Sequence, residues 1–366
     1  MKKTIRLLGL VISFLVPGSV ALSQGSLTPP GAPAATMKTL EQLDQHVTNA
    51  GEKRIDILTL PGSPGAQFLI SSPGSYYLSR NITAESGKIS ILISDDDVTV
   101  DLNGFAILGS NVASGGIVVA LDRRNLRVHN GTIQGFSNDD GIDATKAPHS
   151  HFDHLRLSHN SYGLRCGDDS VISNVTAEGH TTSGIVTGKN CIVTSCTAIL
   201  NDTNGIFTGD SSTVTGCVAR ENNNGINVQS YCSVIACNAS FNNNVGIFPS
   251  SSCLIRDCAA LKNGSDGIRT SFRCLIVSNQ ASENGGAGIL TNGTNNRIDS
   301  NHCTNNSGYG IKSFSATADY IMRNTCFGNN GATSATATAN YSPKSGPFFG
   351  VLSNVNQSGV SPWANF

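Results

Sequence analysis

Residues 205–224, GIFTGDSSTVTGCVARENNN, residues 225–245, GINVQSYCSVIACNASFNNNV, and residues 246–266, GIFPSSSCLIRDCAALKNGSD, are three rounds of one pattern. The Gly-Ile step that opens a round (once Gly-Leu) falls at Gly163, Gly184, Gly205, Gly225, Gly246, Gly267, Gly288 and Gly310, a spacing of 20–22 residues. Looser rounds precede it at Gly116 and Gly141. Self-similarity at a short fixed period marks stacked repeats, each burying its apolar side against the next.

With the Gly as position zero, position one is Leu164, Ile185, Ile206, Ile226, Ile247, Ile268, Ile289 and Ile311, and position three is small or modest in size, from Cys166 to Ser313. Position two varies: Arg165, Val186, Phe207, Asn227, Phe248, Arg269, Leu290 and Lys312, with Asp143 in the earlier round. Constant positions alternating with a variable one are the period-two signature of a strand with one buried face. A second strand carries Val193, Val214, Val234, Ile255 and Ile276 at position nine, and a third carries Ala198, Ala219, Ala239, Ala260 and Ala281. An Asn column closes the round at Asn201, Asn222, Asn242, Asn263, Asn284 and Asn305. Three short strands and no helical segment per round describe one coil of a parallel β-helix. Coils about 4.8 Å apart place identical residues above one another. Asn suits a stacked turn because it tolerates left-handed backbone and its amides bond along the axis. Leucine-rich repeats share the period but need several Leu per round, which these rounds lack.

The chain as a whole is weakly charged. Charged residues are 13%, the net charge is −1, and Gly is 39 of 366. No basic stripe argues for nucleic acid. Lys2, Lys3 and Arg6, an apolar run of about ten residues and then Ala21-Leu22-Ser23 read as an export signal over residues 1–23. The run is interrupted by Pro17-Gly18 and is too short for an anchoring helix, so no membrane span is expected after cleavage. Residues 24–50 read as a linker and a short capping helix with Leu40, Leu43 and Val47 on one side. The solenoid is expected over residues 51–330, and residues 331–366, with the sole Trp363, as a tail folding back on the last coil.

The rounds resemble the right-handed parallel β-helix repeats of the pectin-lyase-like superfamily, which holds carbohydrate-binding and sugar-hydrolase modules. That resemblance implies an all-β, single-stranded, right-handed parallel β-helix of about twelve coils with short caps. The flanks resemble exported β-helix proteins of unassigned activity, through Ser72-Pro73-Gly74-Ser75-Tyr76-Tyr77-Leu78, Val98-Thr99-Val100-Asp101-Leu102-Asn103-Gly104-Phe105, Asn130-Gly131-Thr132-Ile133 and Pro362-Trp363-Ala364-Asn365-Phe366. A fold of this kind says little about chemistry.

Several constellations invite a chemical reading. Cys191, Cys232, Cys253 and Cys274 share position seven, and Cys196, Cys217, Cys237 and Cys258 share position twelve. They read as small buried hydrophobes, with disulfides between coils as the alternative. Zinc is not expected, because a column presents ligands along a line. His149, His151, His154, His159 and His180 cluster in sequence, with His180 in the Asn column; Pro148-His149-Ser150-His151 faintly resembles a His-containing epimerase motif without its acidic partners. Asn138-Asp139-Asp140-Gly141-Ile142-Asp143 resembles a segment of polygalacturonase-type glycoside hydrolases. The two further Asp that such enzymes carry one coil on are replaced here by Ser161-Tyr162, and their His by Ser183, so Asp140 reads as a turn residue. The candidate ligand-binding column is Asp143, Arg165, Phe207, Asn227, Phe248, Arg269 and Lys312. Asp143 and Arg165 lie four coils or more from Arg269, beyond roughly 19 Å and too far for one acid–base pair. The catalytic residues are therefore unassigned, and no cofactor or metal is expected. The reading is an exported scaffold that binds polysaccharide, a cell-envelope component or a protein partner along one sheet face, without catalysis. The alternative is a lyase, hydrolase or epimerase of this fold. Rounds of 20–22 residues leave no room for long loops that would wall a cleft, so any cleft is expected in the slightly longer rounds between Gly116 and Gly163.

Overall fold

The structure is a computed structural model, and it describes residues 54–110, 112–314, 319–331 and 341–342. The expected signal, linker and capping helix lie outside the described residues, as does the tail apart from Gly331 and residues 341–342. Among the described residues, thirteen strands form one parallel sheet and twenty-three form another. The thirteen-strand sheet takes one strand from each coil: twelve lie within residues 51–330, the number expected there, and the solenoid has about thirteen coils in all. The additional coil comes from Tyr341–Ser342, which pairs with Ile311 and Lys312. Tyr341 is buried, and its hydroxyl donates to the Asn324 carbonyl at 2.9 Å.

The register is that of the sequence columns. Ile185 pairs with Ile206, Ile206 with Ile226, Ile226 with Ile247, and Ile268 with Ile289. The second and third strands of each coil, such as Ile192–Thr194 and Thr197–Ile199, belong to the other sheet. The inward Ile, Val and Ala columns are fully buried, each Ile contributing about 2 kcal/mol by removal from water. There is no α-helix among the described residues, only the 3-10 turns Ile57–Thr59 and Asn329–Gly331, and no helix long and apolar enough to cross a membrane.

Each coil turns three times, and from the round of Gly184 onward the turns share one plan: a residue in the left-handed region, then a buried Asn, Cys or Ser whose side chain bonds to a neighbouring coil. In the third turn the left-handed residues are Leu200, Glu221, Phe241, Lys262, Glu283 and Asn305, with φ between 53° and 58°. The following Asn201, Asn222, Asn242, Asn263, Asn284 and Asn306 form the ladder. Two expectations are corrected here. The Asn column does not itself supply the left-handed backbone; the residue before it does. And the column continues through Asn306, not Asn305, which is exposed. The round from Gly288 carries one extra residue in its first turn, where Asn295 is the left-handed residue. Everything after it moves by one, and Ile276 pairs with Ile298.

The cysteines at positions seven and twelve occupy the same kind of ladder in the other two turns. The backbone N–H of Cys196 donates to Cys217 Sγ, Cys217 to Cys237 Sγ, and Cys237 to Cys258 Sγ, at 3.4–3.5 Å. Cys258 N–H then donates to Asn279 Oδ1 at 2.9 Å, and Asn301 and Asn324 continue the series. At position seven Ser170, Cys191, Ser212 and Cys232 alternate in one chain of such bonds. So Cys, Ser and Asn interchange here because each presents an acceptor to the N–H of the coil before. The thiols are small buried groups of the core, as expected, and their sulfurs also serve as ladder acceptors. All eleven cysteines are buried and free. Burial pushes the Cys303 thiol well up, and its hydrogen bond with Cys326 adds to that.

Candidate functional site

The variable column lies on the thirteen-strand sheet as its spacing requires. Asp143 pairs with Arg165, Arg165 with Val186, Val186 with Phe207, Phe207 with Asn227, Asn227 with Phe248, Arg269 with Leu290, and Leu290 with Lys312. All seven candidate residues are half-buried, and their polar groups are engaged. Arg269 Nε donates to Asp266 Oδ2 at 2.7 Å and its Nη2 to Ser265 Oγ at 2.7 Å. Lys312 Nζ lies 4.6 Å from the ring centre of Phe314 and 5.9 Å from that of Tyr309. Asn227 Nδ2 donates to Asn204 Oδ1 at 3.3 Å. Phe207 and Phe248 sit two coils apart with Asn227 between them.

One end of the column differs. Arg165 Nη2 donates to Asp143 Oδ2 at 2.9 Å, and the same guanidinium forms a very short ion pair with Asp140. The ring of Tyr162 lies under it, 4.9 Å from centroid to guanidinium carbon. Asp143 is fixed by the Thr145 amide and hydroxyl, at 3.1 and 2.8 Å. Asp140 is therefore more than a turn residue: it is 3% exposed and aimed at the guanidinium of the next coil. Asp140 and Arg165 stand at positions −1 and +2 of successive rounds, and no single-round motif shows that they meet.

Burial pushes the Asp140 carboxyl up to about 6, Arg165 opposing the shift and Asp143 and Asp139 adding to it. The folded protein thus holds an extra proton between the ordinary 3.8 and about 6. A raised carboxyl weakens the fold as pH rises through that window. We expect the melting temperature of Asp140→Asn, relative to the parent, to rise between pH 4 and pH 7. A difference that stays flat across that range would contradict the burial of this charge.

The histidines do not join this group. His151 and His154 lie on a strand of the other sheet, within 3.7 and 3.0 Å of Asp153, which also takes Arg127. His180 stands in the Asn ladder as expected: its Nδ1 accepts from Asn160 N–H at 3.1 Å, and burial pushes it down to about 4. His149 is exposed and lies 4.0 Å from Asp169. No group of three His, Cys, Asp or Glu among the described residues is placed to hold a metal ion.

Beyond the end of the column, in the first turn, lies a cavity of about 320 Å³. It is lined by Asp122, Arg123, Arg124, Thr145, Lys146, Pro148 and Asp168, in the rounds of Gly116, Gly141 and Gly163 where a cleft was expected. Position two does not line it. Three cations face two carboxylates there, and Asp168 Oδ1 is occupied by the Lys189 amide at 2.7 Å. Arg123 is pinned by its own amide to the Lys146 carbonyl at 2.8 Å, and its Nε is buried without an acceptor. This basic lining was missed in the sequence because Arg123-Arg124 and Lys146 are a whole coil apart.

The fold is shared with solved structures at low sequence identity. The A-module of the Azotobacter vinelandii mannuronan C-5 epimerase AlgE6 matches with a TM-score of 0.58 at 15% identity, over 88% of this chain and 93% of that one. The Dettilon tailspike protein matches with a TM-score of 0.51 at 13% identity, over 82% of this chain and 64% of that one. No curated protein matches the chain in sequence. The profile of the right handed beta helix region matches residues 90–245 and 229–346. With its parallel coils, its turn ladders and that match across most of its length, the chain belongs to the right-handed β-helix family.

Proposed function

We propose that this protein is an exported, non-catalytic β-helix scaffold that binds an acidic polysaccharide of a cell envelope along the thirteen-strand sheet and its adjoining first turn. The cavity carries the reading: Arg123, Arg124 and Lys146 converge on it, and a buried guanidinium N–H there lacks an acceptor. A carboxylate or sulfate would supply one, in a charge-assisted bond. Export rests on Lys2, Lys3, Arg6 and the apolar run that follows. In native gels containing an acidic polysaccharide, the protein should be retarded more than in gels with a neutral one. Arg123→Ala with Lys146→Ala should weaken that retardation about tenfold, the loss of roughly one charge-assisted hydrogen bond. Equal mobility in acidic and neutral gels would sink the proposal.

A second reading has one observation in its favour. A carboxyl that titrates at about 6, beside Asp143, Arg165 and Tyr162, is suited to proton transfer on an acidic sugar. Its side chain is 4% exposed and already bound to Arg165, which leaves a substrate little access. The scaffold reading therefore ranks first. New reducing ends, unsaturated sugars or altered epimers from acidic polysaccharides, absent with Asp140→Asn, would reverse the order.

A further inference from the structure

We propose that Tyr231, Phe272 and Phe314 form a stacking track along the first turn for an extended, β-linked glycan lying parallel to the solenoid axis. The proposal rests on the polysaccharide-binding reading and extends it along the first turn, into the later coils.

The three side chains stand at positions six, five and four of the rounds opened by Gly225, Gly267 and Gly310. Each is two coils from the next, about 10 Å along the axis. In an extended β-1,4-linked chain each ring is turned over relative to its neighbour, so alternate rings show the same face to one side. A two-coil interval presents one aromatic to each such face.

These residues lie outside the core. Tyr231, Phe272 and Phe314 are 66%, 47% and 62% exposed. Tyr231 occupies the left-handed turn position, φ 64°, where other rounds carry Asn190, Ser211 and Ser252. Asn or Gly would hold that conformation at less cost than a bulky side chain. The ring of Phe272 lies across the next coil at Gly293, where an added Cβ would come within 2.4 Å of a ring carbon. The ring is thus seated on the Gly293 backbone while the residue stays 47% exposed. Lys312 Nζ lies 4.6 Å from the centre of the Phe314 ring, which places a cation at that end of the row. The same turn, in earlier coils, holds the cavity with Arg123, Arg124 and Lys146. One polymer running along the turn reaches both.

The test is calorimetric titration of the full chain with β-1,4-linked uronate oligosaccharides. A hexamer should bind more tightly than a dimer. Tyr231→Ala, Phe272→Ala and Phe314→Ala should each weaken the hexamer about tenfold, the scale of one ring stacking contact with its buried area. Phe272→Tyr should keep the affinity. Phe241→Ala, on another turn and stacked by Lys262 at 5.6 Å, should change nothing. Gly293→Ala should weaken binding by displacing the Phe272 ring while the other two rings stay. A triple alanine variant that binds the hexamer like the parent overturns the track, as does a dimer that binds as tightly as the hexamer. If cavity variants lose binding while the aromatic variants do not, the track is wrong and the polysaccharide reading stands. If the parent binds no glycan, both are wrong.

Discussion

Replacing Asn242 by Leu should cost about 4 kcal/mol of stability, because four hydrogen bonds are lost and each is worth about 1 kcal/mol. Asn242 Oδ1 accepts from the Asn222 amide at 3.0 Å and from Asn222 Nδ2 at 3.2 Å. Its Nδ2 donates to the Ala219 carbonyl at 3.1 Å and to Asn263 Oδ1 at 2.9 Å. The site is 1% exposed, so water cannot replace these partners. The Asn242 backbone N–H keeps its bond to Asn263, which limits the damage to one rung. Asn242→Cys should lose about half as much, since Cys217 and Cys237 show that Sγ accepts the same backbone N–H. Urea denaturation of the three proteins decides the matter. A Leu variant within about 1 kcal/mol of the parent would mean that the ladder is incidental to stability.

Gly225→Ala should cost about 3 kcal/mol, at the upper end of the overpacking range. A Cβ there would stand 2.5 Å from the Gly246 carbonyl oxygen, 2.7 Å from Asn242 Nδ2 and 3.1 Å from the Ala239 methyl. The carbonyl cannot retreat freely, because it accepts from the Ile226 amide at 2.9 Å. The Asn amide is held by the ladder. The repeated Gly is therefore a steric requirement of coil stacking, not of left-handed backbone. Gly65→Ala is the control: nothing lies within 4 Å of its Cβ, and the change should stay within about 0.5 kcal/mol. Equal denaturation midpoints for Gly225→Ala and the parent would refute the steric account.

Function was less legible than fold, and the reason is geometric. The β-helix could be read because its inward residues recur at one period and meet their own kind in the next coil. Ile226 pairs with Ile247, and Ala219 with Ala239. The cavity brings together Arg123, Lys146 and Asp168, each from a different round and with no shared motif. Asp140 looked like a turn residue because its partner, Arg165, lies in the following coil. The variable column was found correctly as a column. What the sequence could not show was that Arg165, Arg269 and Lys312 are already engaged by neighbours on their own surface.

The sequence by itself determined the coil: three strands, buried Ile, Val and Ala, and an Asn row. Local periodicity and self-pairing are written in the order of residues, and about 4.8 Å of rise per coil turns that order into columns. Only the tertiary structure decided which residue of each turn is left-handed, that Cys and Ser serve the same ladders as Asn, and that the extra residue near Asn295 moves the ladder to Asn306. It also decided where charge collects. These depend on contacts between coils, and a contact made one coil away leaves no mark on the residues next to it in the chain.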